Sequence, residues 1–177
     1  MNSLKKPKLS VIVPNYNYAR FLNARIGSIL NQSFQDFELI LLDDCSTDNS
    51  REVLECYRNN PHVSHIVFNE QNSGSPFIQW MKGIELARGK YIWIAEADDM
   101  AEPAFLERCI TYLVSYNSAV VAFSGSFIID ENSKICHVEI IKGDVMYIDG
   151  NVKIRHITKF MSEGSADFSL LEEIEDF

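Results

Sequence analysis

Apolar residues fall into runs that alternate between two periods. Leu9–Val13 (LSVIV), Phe37–Leu42 (FELILL), Val63–Phe68 and Tyr91–Ala95 are short, nearly continuous apolar stretches, the pattern of strands buried on both faces. After the first of them the period lengthens, and Phe21, Leu22, Ile26, Ile29 and Leu30 recur at helical spacing. Further helices are expected from the Ser46-Thr47-Asp48 cluster to Tyr57, over Pro76–Ala87 and over Pro103–Tyr116. Ser46, Thr47 or Asp48 is the expected cap of the second helix, and Pro76 suits the first turn of the third. Pro14, Asn59-Asn60-Pro61 and Arg88-Gly89 are read as stops. Val120–Phe123 and Ser126–Ile129 are expected short strands, Asn132-Ser133 a hairpin turn, and the closing SLLEEIEDF a helix.

Strand and helix thus alternate four times at spacings of roughly 25 to 30 residues. That alternation predicts an α/β fold, a mostly parallel Rossmann-like sheet with helices on both faces. Ligands bind such sheets at the carboxyl ends of their strands. PNYN follows the first strand, DDCSTD the second and EADD the fourth. The fold should therefore gather Tyr16, Asp44, Asp98 and Asp99 on one rim.

Composition narrows the picture. With 177 residues, 46% hydrophobic and 23% charged, the chain reads as one soluble globular domain over residues 1–177. No apolar run approaches the roughly 20 residues that span a bilayer. The start, MNSLKKPKLS, has no apolar core of a secretory signal, which points to a cytoplasmic protein. Its lysines are a candidate peripheral contact with the inner face of an anionic membrane, although a solvated tail has the same composition. A net charge of −9 argues against nucleic acid and requires a local positive charge for any anionic substrate. Cys45, Cys56, Cys109 and Cys136 match no zinc or redox spacing and read as reduced thiols. His62, His65, His137 and His156 form no ligand set, and Trp93 falls in the strand period as a core residue.

The concentrated chemistry is at Glu96, Asp98 and Asp99, three mutually repelling acids after a buried strand. No GxGxxG follows the first strand and no GxxxxGK[ST] loop occurs, which removes the usual dinucleotide and P-loop sites. Clustered carboxylates commonly hold a hard divalent cation, Mn2+ or Mg2+, which cancels their repulsion and attracts a phosphate ester.

The stretches LSVIVPNYN, FELILLDDCSTDNS, NSGSPFIQWMKGIELARGKYIWIAEADDM and FSGSFIIDENSK, taken in order, resemble the nucleotide-sugar-binding part of family 2 inverting glycosyltransferases, which have the GT-A fold. The resemblance covers about residues 8–135. It implies a nucleotide-sugar-binding part at 8–130 and a partial acceptor-side segment at 131–177.

Carried over residue by residue, the resemblance implies that Pro14 and Tyr16 hold the nucleobase and that Asp44 accepts its N3–H, with Asp43 bracing the loop. A turn tyrosine and a helix-capping aspartate would look the same. Asn72 and Gly74 match the family's NxG, where glycine would admit the nucleotide backbone; an ordinary turn is the alternative. Trp80-Met81 replaces the family's Arg-Asn pair, and Lys82 is expected on another helical face. Glu96 replaces the usual first acid and is expected to reach the ribose. Asp98 and Asp99 are the expected metal ligands, and Asp98 also the donor-side acid. Asp176 is the candidate catalytic base.

The implied reaction transfers a sugar from a nucleotide-sugar donor, expected to be UDP-linked, to a sugar or lipid-linked acceptor hydroxyl with inversion, in cell-surface polysaccharide synthesis. Two other classes fit parts of the pattern: a non-catalytic nucleotide-sugar-binding remnant and a Mg2+-dependent nucleotidyltransferase. Phe160, Phe168 and Leu171 are candidates for an apolar edge that would make a homodimer.

Overall fold

The computed structural model describes residues 6–116, 118–122, 124, 128–130, 135–137 and 146–148. In chain order the elements are β1 (Leu9–Asn15), α1 (Ala19–Leu30), β2 (Phe37–Asp43), α2 (Ser50–Glu55), β3 (Val63–Phe68), α3 (Pro76–Leu86), β4 (Tyr91–Ile94), α4 (Phe105–Ser115), β5 (Val121–Ala122), β6 (Ile128–Ile129), β7 (Ile135–His137) and β8 (Met146–Ile148). Six of the strands form one sheet in the order β3-β2-β1-β4-β8-β5. β3, β2, β1 and β4 run parallel; β8 lies antiparallel to β4 and to β5. The expected α/β architecture is therefore present. β6 and β7 pair antiparallel as a separate two-stranded sheet; the turn expected at Asn132-Ser133 lies outside the described residues.

Alternation within the strands splits the core. Leu9, Val11, Val13, Leu39, Leu41 and Trp93 face the layer of α1, α2 and α4, while Ile12, Ile40, Leu42, Ile92 and Ile94 face α3. Each fully buried Leu or Ile adds about 1.5–3 kcal/mol. Gly83 lets α3 lie close on the sheet, since a Cβ there would sit 2.4 Å from Ile12 Cγ2.

Two points differ from expectation, at Pro14 and at β8. Pro14 does not end β1 but lies inside it, opposite Leu42. The ladder with β4 stops at Ile12, so the proline sits where β1 has one parallel neighbour and its missing N–H breaks nothing. Asn49, at the cap position of α2, makes no side-chain cap bond, but Asp48, one of the expected caps, accepts from Ser50 N at 2.9 Å. Ser46, Thr47 and Asp48 also make loop-to-loop bonds, described below. β8 was not expected from the sequence at all. The terminal helix, Phe160, Phe168, Leu171 and Asp176 lie outside the described residues.

Candidate functional site: the carboxyl-end rim

β2, β1 and β4 are neighbours, so the loops that follow them emerge side by side, with the β3–α3 loop next to β2. The first two loops are laced together. Asn15 Nδ2 donates to Asp43 Oδ1 (2.7 Å) and Ser46 Oγ (3.1 Å). Asn17 Oδ1 accepts from the Thr47 (2.7 Å) and Asp48 (3.3 Å) backbone N–H groups, and the Asn17 N–H donates to Ser46 Oγ (2.9 Å). Asp48 serves both following helices, accepting from Ala19 N at the start of α1 (3.0 Å) and from Ser50 N at the start of α2 (2.9 Å). Two residues here hold left-handed backbone without being glycine, Asn17 (φ 60°) and Cys45 (φ 61°). Such strain, about 1–2 kcal/mol each, persists where the surroundings over-determine it.

Asp44 ties the third loop to the second. It is 5% exposed. Its Oδ1 accepts from Asn69 Nδ2 (2.6 Å), Ser73 N (2.9 Å) and Gln79 Nε2 (2.8 Å), and its Oδ2 from Ser73 Oγ (2.7 Å). Its backbone carbonyl accepts from Asn72 Nδ2 (3.0 Å). Asn72 Oδ1 in turn accepts from Gly74 N (2.8 Å). At φ 73° Gly74 needs to be glycine for its conformation; there is open space around its missing Cβ. Lys82 Nζ reaches Asn69 Oδ1 (2.5 Å), so this lysine is joined to the rim network. Tyr16 stands out of it, 45% exposed.

The fourth loop carries the acids. Asp98 and Asp99 are exposed, and Glu96 is partly buried. Trp80 Nε1 donates to Glu96 Oε1 at 2.9 Å. Desolvation, with repulsion from Asp98 and Asp99 added, pushes the Glu96 carboxyl up to about 7 against the Trp80 bond and the charge of Arg25. Asp99 is crowded by protein on one side although exposed on the other; this desolvation raises its pKa, with Arg25 opposing and Asp98 adding. Arg25 is wholly buried in α1, its guanidinium 4.8 Å from the centre of the Trp93 ring.

The structure thus places Pro14, Tyr16, Asp44, Asn72, Gly74, Glu96, Asp98 and Asp99 on one edge of the sheet. Sequence reasoning missed Arg25, Ser73 and Gln79. Arg25 had a signal: a charge three residues from Leu22 and four from Ile29, on a face otherwise apolar. Ser73 and Gln79 had none, because their bonds to Asp44 join distant parts of the chain.

Among the described residues no three His, Cys, Asp or Glu side chains converge closely enough to hold a metal by themselves. Two exposed hard-oxygen carboxylates still suit a divalent cation that takes its remaining ligands from phosphate oxygens and water.

The rim lies at the carboxyl ends of a parallel sheet, where open α/β proteins bind their ligands. The model of glycosyl transferase family 2 matches residues 10–167, and the chain belongs to that family. It is 34% identical over 120 residues to a Bacillus subtilis protein named "Putative teichuronic acid biosynthesis glycosyltransferase TuaG", covering 68% of this chain and 47% of that one. It is 32% identical over 118 residues to the Staphylococcus aureus poly(ribitol-phosphate) beta-N-acetylglucosaminyltransferase TarS, covering 64% of this chain and 20% of TarS. The structure of TarS 1-349 with UDP-GlcNAc superposes with a TM-score of 0.61 at 28% identity, over 67% of this chain and 35% of that one. The Pyrobaculum calidifontis mannosyltransferase PcManGT, solved with GDP-Man and Mn2+, shares the fold, with a TM-score of 0.59 at 20% identity over 72% of this chain and 37% of that one. The chain spans about half or less of the length of these proteins. No described helix is long and apolar enough to cross a membrane.

Proposed function

We propose that this chain is the donor-binding part of an inverting, metal-dependent glycosyltransferase that uses a UDP-sugar and acts in cell-surface polysaccharide synthesis at the cytoplasmic face of the membrane. The observation that carries this reading is the rim itself, with exposed Tyr16 on one loop and exposed Asp98 and Asp99 on another. Family membership removes the nucleotidyltransferase alternative. Tyr16 offers a flat amphipathic ring against the base. Asp44 meets the base N3–H by exchanging one of its present donors for it. Asn72 and Gly74 bound the nucleotide from the β3–α3 loop, and Glu96 faces the ribose. Asp98 and Asp99 would hold Mn2+ or Mg2+. A bound divalent cation supplies Lewis-acid stabilisation to the departing nucleoside diphosphate. Asp176 is the proposed base that takes the acceptor proton.

Calorimetry with UDP and Mn2+ tests this. The parent chain should bind UDP in a Mn2+-dependent manner, and Asp98→Asn and Asp99→Asn should each weaken binding at least about tenfold without lowering thermal stability. Equal affinity in both variants would remove the metal assignment. No UDP binding by the parent would remove the donor-site reading.

A further inference from the structure

Trp80 and Glu96 meet across the end of the sheet. The indole body is wedged against the Ile12, Ile40, Leu42, Ile92 and Ile94 cluster. Phe77 packs edge-on against it, with ring centres 4.9 Å apart and planes at 74°. With its body held in this way, the ring aims its N–H at a fixed point, and Glu96 Oε1 lies there at 2.9 Å. A glutamate after a strand has three rotatable bonds, and holding one oxygen removes most of that freedom. An indole nitrogen only donates, so it orients a carboxylate without competing for ligand hydroxyls. Among the described residues nothing hydrogen-bonds Glu96 Oε2.

Glu96 leaves the sheet beside β1, whose loop carries Tyr16, and precedes Asp98 by two residues. If the base lies toward Tyr16 and the diphosphate toward Asp98, the nucleotide presents its ribose between them. We infer that Trp80 is a positioning residue: it fixes Glu96 so that Oε2 accepts hydrogen bonds from the ribose hydroxyls, making the site selective for ribonucleotides over 2′-deoxyribonucleotides. This rests on the donor-site reading above and adds to it a residue and a selectivity.

The test is the ratio of affinities for UDP and 2′-deoxy-UDP, each with Mn2+, measured by calorimetry on the full chain. The parent should prefer UDP by about tenfold. Trp80→Phe keeps the aromatic body and removes the N–H; it should cut the preference at least threefold, chiefly by weakening UDP. Trp80→His, which can restore an N–H, should recover part of it. A purely structural role would weaken both nucleotides alike and leave the ratio intact. Glu96→Gln reports the same ratio should Trp80→Phe fold poorly, and should likewise lower it. A parent that binds UDP, with an unchanged ratio in both Trp80→Phe and Glu96→Gln, overturns the role of Trp80 and leaves the donor site standing. A parent that binds neither nucleotide overturns both.

Discussion

Two glutamates at opposite ends of the same sheet show how differently one fold treats a carboxylate. Glu38 enters β2 next to Ser10 and is 3% exposed. Its Oε1 accepts from Ser10 Oγ (2.7 Å) and Arg88 N (2.7 Å), and its Oε2 from Arg88 Nε (2.8 Å). Burial works against its charge, but these bonds prevail and hold its carboxyl below the usual range. Glu96, beyond β4, receives one neutral donor among the described residues and sits beside two further acids. Desolvation and repulsion hold its carboxyl up at about 7. At the amino end of the strands the chain neutralises its own acid. At the carboxyl end desolvation and mutual repulsion outweigh the compensation that Trp80 and Arg25 give.

The sharpest way to break this comparison is to remove the neutralised acid. Glu38→Ala strips the partner from Arg88 and the acceptor from Ser10, and should cost about 2–4 kcal/mol in urea unfolding at pH 7. UDP affinity of the folded fraction should stay the same. A loss of affinity without a loss of stability would mean that Glu38 belongs to the site after all.

The next largest effect concerns pH. The Glu96 carboxyl titrates higher folded than unfolded, so the folded state binds the extra proton between the unfolded value of 4.5 and about 7, and stability falls as pH rises through that window. Glu96→Gln should therefore gain about 2 kcal/mol on the parent between pH 5 and pH 8 without metal. The Glu38 carboxyl runs the other way: its contribution is present above 4.5 and lost as pH falls through its lowered folded value. Parallel pH–stability curves for parent and Glu96→Gln would contradict the burial of Glu96.

The smallest stability change should come from Tyr16→Ala, within about 0.5 kcal/mol because the ring is exposed. Its nucleotide affinity should still fall several-fold, for uridine and guanosine diphosphates alike, because stacking serves either ring. A destabilised variant with unchanged affinity would return Tyr16 to the role of a turn residue.

Much of the fold was legible in the sequence because its signals are local. The four parallel strands and four main helices lie where the apolar periods put them, within a few residues. β8 was illegible because Met146–Ile148 is too short to carry a period; it is a strand by virtue of its pairing with β4. Asp48 reads as a cap in sequence, yet one of its oxygens serves α1, 29 residues away. Lys82 was expected on another helical face, and the helical wheel ignores the reach of a lysine, which here extends to Asn69.

By itself the sequence determined the α/β alternation, the family, and which strand ends carry polar residues. These follow from local periodicity and from motifs written in consecutive residues. Only the tertiary structure decided that Asp44 is buried under four donor groups, that Trp80 holds Glu96 and that Arg25 lies inside beneath the acids. Hydrogen bonds and desolvation depend on which distant side chains the packed sheet brings within about 3 Å of one another, and no period along the chain encodes that.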